Sequence, residues 1–139
     1  MNYLVYLDAR AGELEKILSG MKTMLVKGFD PTQTLACSIQ PGDSLYFLRS
    51  KDDCAVPVKA IVVRVLFVNG KEDLTHTLKV MQPRLQLTEE QYNYWSVSQQ
   101  ALLVEIESAQ KIGVIRVAPE KTADRLDWIA FEEFTRITE

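Results

Sequence analysis

Apolar positions in this chain fall into short runs whose spacing switches between the period of a strand and that of a helix, and the switches lay out the elements. Tyr3 to Leu7 is an apolar and aromatic run ending at Asp8, whose carboxylate is placed to accept the free N–H groups of a following first helical turn. Leu14, Ile17, Leu18 and Met21 then recur at helical spacing, which predicts one buried face, and Gly20 supplies the left-handed termination that other residues resist. Lys22 to Lys27 reads as a strand, and Phe29 to Gln40, with its Asp-Pro step and polar content, reads as a loop. Ser44 to Arg49 and Val56 to Val68 are the two clearest strands, and the polar stretch Ser50 to Cys54 between them predicts a hairpin. The longer one carries only Lys59 and Arg64 as charges, so it is expected to lie centrally with both faces largely covered.

From Lys71 to Val80 the pattern turns helical, with Leu74, Leu78 and Met81 on one face until Pro83 ends it. Thr88-Glu89-Glu90-Gln91 opens a second small helix as a capping box, in which the Thr88 hydroxyl and the Gln91 side chain satisfy each other's backbone donors. That helix is expected to end near Trp95. Ala101 to Ile106 and Ile112 to Val117 read as further strands, and Asp127 to Phe131 as a last short one before a charged tail. Strands outnumber helices, and the central strands join by hairpins. The pattern therefore predicts an α+β fold, a small mixed β-barrel closed by helices, rather than a βαβ winding.

The chain of 139 residues, 47% hydrophobic, is enough for one domain over 1–139 with a single core. The net charge of −3 leaves no global attraction for polyanions, so any nucleic-acid contact has to come from a local patch. Cys37 and Cys54 are too few and too far apart for a zinc site, and the opening residues MNYLVYLDAR have no secretory character, so reduced thiols in a cytoplasmic protein are expected. The longest apolar run, Ala60 to Val68, is interrupted by Arg64 and is too short to span a membrane.

The stretch LEKILSGMKTMLVKG, followed after a spacer by IQPGDSLYF, resembles the ASCH domain of the PUA-like superfamily. The family pattern is an apolar helix end, a glycine, a lysine two residues on, then a glutamate and an arginine in the strand, with a Gly-Asp turn further along. Gly20, Lys22, Gly42 and Asp43 match it, Lys27 replaces the arginine, and Leu25 stands in place of the glutamate. The resemblance implies a PUA-like barrel over about Leu14 to Val117. Some small ASCH proteins deacetylate a modified cytidine with a lysine matching Lys22, a threonine three residues later and a glutamate before the second helix. In this chain Leu25 holds the threonine position and the segment from Val80 to Leu87 contains no carboxylate, so the resemblance does not carry that activity over.

Lys22, at a junction between a helix and a strand, can present its ammonium to a cleft while its stem packs on apolar neighbours. With Lys27 and Arg49 on adjoining strands it would make a compact cationic site for a phosphate or a nucleotide. Tyr92 and Trp95 could hold an unstacked base, although at their three-residue spacing they could equally pack on the core. Arg64 is expected to pair with a carboxylate such as Glu105. His76 is the sole histidine and has no partner at ligand spacing, so no metal is expected. Gly20-Met21-Lys22-Thr23 is not a P-loop, because its lysine follows a helix instead of preceding one.

The leading expectation is a non-catalytic PUA-like module that binds a nucleotide or short single-stranded RNA through Lys22, Lys27, Arg49, Tyr92 and Trp95, with no cofactor and no catalytic residue assigned. One rival is a small amidohydrolase acting on acylated nucleosides with Lys22 and a carboxylate such as Glu105 or Asp43. A third reading is a homodimeric interaction domain whose interface uses Trp128, Phe131 and Phe134.

Overall fold

The computed structural model describes residues 2–7, 10–28, 39–48, 55–116 and 128–131. The elements run β1 (Asn2–Tyr6), α1 (Glu13–Leu18), β2 (Met24–Gly28), β3 (Ser44–Leu48), β4 (Ala55–Asn69), α2 (Lys71–Val80), α3 (Gln82–Leu85), α4 (Glu89–Ser96), β5 (Gln100–Arg116) and β6 (Trp128–Phe131). The strands form one six-stranded mixed sheet in the order β2-β5-β4-β3-β1-β6. β1 and β3 are parallel, in register from Asn2 opposite Ser44 to Tyr6 opposite Leu48, and the other pairs are antiparallel. The expected barrel is not closed among the described residues: β2 and β6 are the two edges, each hydrogen-bonded to one neighbour.

Period-two alternation divides the apolar side chains between the two faces of the sheet. One face carries Val5, Leu25, Leu45, Phe47, Ala60, Val62, Val104 and Ile106, covered by Leu14 and Ile17 of α1. The other carries Met24, Ala101 and Leu103, covered by Leu74 and Leu78 of α2 and Leu85 of α3, with Tyr92 and Trp95 of α4 at its margin. Among the described residues the apolar side chains thus gather into a cluster on each face of the sheet, where the sequence had suggested a single core. β2, an edge strand, stands between α1 on one face and α3 on the other.

The expected boundaries hold for α2 and for the Thr88 capping box, where Thr88 Oγ1 accepts from the Gln91 N–H at 3.2 Å and Gln91 Oε1 from the Thr88 N–H at 3.0 Å. Three details differ. α1 starts at Glu13 behind Gly12, and Met21, beyond the Gly20 reversal, is 57% exposed instead of completing the buried stripe. Pro83 does not merely stop α2; it lies in the first turn of α3, where its missing N–H costs nothing. The two strands expected from Ala101 to Val117 are one, because the polar stretch Glu107 to Lys111 pairs across a register shift with Val58 to Ile61 of the long β4, with Ser108 at a φ of 57°. Asp8, residues 29–38 of the expected loop with Cys37, the 50–54 turn with Cys54, and Phe134 lie outside the described residues, as do the side chains of Trp128 and Phe131. No helix among the described residues is long and apolar enough to cross a membrane.

Candidate functional site

α1 is short, and its end dictates where Lys22 goes. Gly20 at a φ of 82° reverses the chain, so that the Lys22 N–H returns to the Lys16 carbonyl at 3.0 Å. The reversal turns the Lys22 side chain inward at the β2 edge, where it is 1% exposed. Its Nζ donates to the Leu85 carbonyl at the end of α3 and lies 3.3 Å from Glu13 Oε2 at the start of α1. Burial holds the ammonium below its ordinary pKa; the Glu13 charge and hydrogen bond oppose that shift and Lys16 adds to it.

Neighbouring donors complete the same seam. Lys16 Nζ donates to the Gln86 carbonyl at 3.2 Å, and the Thr23 N–H to the Arg84 carbonyl at 2.9 Å. The carbonyls of Arg84, Leu85 and Gln86, at the end of α3, are thus satisfied from residues 16–23, while those of Gln82 and Pro83 accept from the Gln86 N–H and side chain. The Ile106 N–H meets the Thr23 carbonyl at 2.9 Å, which continues the β2–β5 ladder up to the seam. Lys22 is therefore not the open rim cation that its junction position suggested. It fastens the layer on one face of the sheet to the layer on the other.

The remaining residues singled out from sequence do not converge on Lys22. Lys27 is buried on the face of β2 that carries Leu25, opposite Leu102 of β5. Trp95 lies against Gly28 on the other face, its ring carbons 3.8 and 3.9 Å from where a Cβ would stand, and Tyr92 packs beside the same core. A strand thus separates Lys27 from the two aromatics. Arg49 lies outside the described residues. Within α4, Tyr94 is the aromatic that reaches solvent, 67% exposed and edge-on to Trp95 with ring centroids 5.0 Å apart; Phe67 of β4 is half-exposed as well.

A second charged group sits at the other end of the face that bears Trp95. Glu105 Oε2 accepts from Arg64 Nη2 at 3.0 Å and from Arg84 Nη1 at 3.1 Å. The Arg64–Glu105 pair is the one anticipated from the sequence. Arg84 joins it because α3 packs against β2, and no local spacing announced that. Glu13 as the Lys22 partner was likewise missed; the available signal was the Gly20 reversal, which folds residue 22 back along its own helix. Among the described residues no His, Cys, Asp or Glu cluster could hold a metal ion.

No family model and no curated protein matches the sequence. Solved structures do. ASCH from Zymomonas mobilis superposes with a TM-score of 0.69 over 95% of this chain and 88% of its own, at 14% identity. A point variant of it superposes at 0.70 over 97% and 93%, also at 14% identity. A hypothetical protein, with 18% identity, gives 0.51 over 81% of this chain and all of its own. The chain has the fold of an ASCH domain.

Proposed function

We propose that this chain is a non-catalytic, PUA-like binding module that takes a nucleotide or a short single-stranded RNA segment. The observation that carries the reading is Tyr94, a largely exposed ring braced edge-on against Trp95. An exposed aromatic held rigid by a second one is a platform for an unstacked base, and every base offers a π-face to it. The ASCH-like fold supports the class of ligand, and the acidic surface predicts modest, salt-sensitive affinity. Fluorescence anisotropy with a labelled single-stranded hexauridylate tests it. Wild type binds, and Tyr94→Ala weakens binding about tenfold, since one stacked base contributes about 1–3 kcal/mol. Absence of binding to the hexauridylate and to free nucleotides at low salt removes the reading.

One observation favours the amidohydrolase as a second reading: a carboxylate, Glu13, does stand beside a lysine whose pKa is lowered. The ammonium is covered and already bonded to Leu85, so substrate would have to displace α3. Turnover of an N-acylated cytidine by wild type, abolished in Glu13→Gln while the protein stays folded, would establish it over the binding reading.

A further inference from the structure

We infer that Arg64 and Arg84, spaced by Glu105, form a subsite for one internal phosphodiester of a single-stranded nucleic acid. The inference rests on the nucleic-acid reading above and assigns it a phosphate contact. Each guanidinium carries five N–H donors in a fixed fork, and the Glu105 oxygen engages one nitrogen of each. The side chains of Arg64 and Arg84 are 46% and 52% exposed, so the remaining donors face solvent with two forks converging on one point.

Charge selects the kind of phosphate. Two guanidiniums and one carboxylate leave a net charge of +1. A phosphodiester carries one negative charge and matches that centre, whereas a terminal monoester, at about −2, leaves an excess anion beside Glu105. Glu107, two residues along β5 and exposed, strengthens the discrimination, while the Lys22 charge behind the seam is answered by Glu13.

Placement agrees with the base platform. Glu105 pairs with Met24 at the start of β2, and Trp95 stands over Gly28 at its end. The two positions are four residue steps apart along β2, roughly 13 Å on the same side of the sheet. A short strand laid along this edge can stack on Tyr94 and set a phosphate between the arginines. Exposed ion pairs contribute little to stability, so the subsite can be removed without unfolding the chain.

The test is anisotropy with a 3′-labelled hexauridylate that has a free 5′-hydroxyl, over a salt series, with circular dichroism melts as a folding control. The Arg64→Ala/Arg84→Ala variant is expected to bind about tenfold more weakly, and its dependence of log affinity on log salt to flatten by about 0.7, the loss of one neutralised phosphate. Arg64→Lys/Arg84→Lys keeps the slope and loses part of the affinity, because the charge remains without the fork. Glu105→Gln strengthens binding of uridine 5′-monophosphate severalfold over wild type. A folded double-alanine variant with wild-type affinity and slope, alongside a weakened Tyr94→Ala, overturns the subsite and leaves the RNA reading standing. If wild type binds no hexauridylate, both fall.

Discussion

Replacing Lys22 by methionine keeps the apolar stem and deletes the ammonium, which isolates what the seam does. The Leu85 carbonyl loses its donor, and Glu13, whose side chain is only 12% exposed, loses its cation. An orphaned buried acceptor costs about 1–3 kcal/mol, and breaking a buried ion pair by removing one partner costs about 3–5 kcal/mol where the pair is well satisfied. Against this, the ammonium is no longer desolvated, and the downward pKa shows that desolvation outweighs what Glu13 returns. The opposing terms put the loss at the low end, about 2 kcal/mol, or roughly 7 °C in Tm for a chain of this size. Urea unfolding followed by circular dichroism should show a lower midpoint with an unchanged slope. Adding Glu13→Gln to Lys22→Met should recover part of the loss, since the carboxylate charge that Lys22 answered is then gone. The pH dependence has a definite sign. Below the lowered pKa, Lys22 is protonated in both states and the contribution is flat; between that value and the ordinary one the unfolded chain holds a proton that the folded chain has released, so wild-type stability rises with pH. Lys22→Met should lack that alkaline rise. An unfolding free energy for Lys22→Met within about 0.5 kcal/mol of wild type, as for a surface lysine, would refute the seam.

Thr88→Ala removes the hydroxyl half of the capping box and should cost about 1 kcal/mol in urea unfolding, with Gln91→Ala costing less because the Thr88 hydroxyl still accepts from the helix. Gly20→Ala meets no neighbouring atom within 4 Å, so its loss, about 1 kcal/mol by the same measurement, is backbone strain alone at a φ of 82°. Leu78→Ala opens a cavity in the core beneath α2 and should cost about 2–5 kcal/mol; a smaller change would mean that α2 collapses onto the sheet.

The elements with an unambiguous period were legible in the sequence: α2 from Leu74 and Leu78, the α4 cap from Thr88 and Gln91, and the long β4 from its valine- and isoleucine-rich content, although its faces are not both covered as expected, since Val63 and Phe67 are exposed. What escaped reading was set by partners distant along the chain. Glu107 to Lys111 looks like a turn because it is polar, yet β4 extends far enough to pair with it. The parallel pairing of β1 with β3 has no local signature, because both strands read simply as apolar runs. Met21 keeps helical spacing with Leu14 and Ile17 but lies past Gly20, where the helical period no longer governs its direction.

The candidate site shows the same division more sharply. Lys22 could be singled out because a lysine after a helix-ending glycine must either escape to solvent or turn back on its helix. Which of these occurs depends on a carbonyl 63 residues away, at Leu85, and on Glu13 at the far end of the same helix. Once α3 docks, three carbonyls at its end demand donors, and residues 16–23 are the segment within reach. Lys22 is consumed by that demand. A cation so committed cannot also greet a ligand without releasing α3, whereas Arg64 and Arg84, themselves about half-exposed, share a partly buried carboxylate and keep donors to spare. The physical consequence is a division of labour among the basic residues: a buried ammonium holds the two layers together, and half-exposed guanidiniums remain available for an anion.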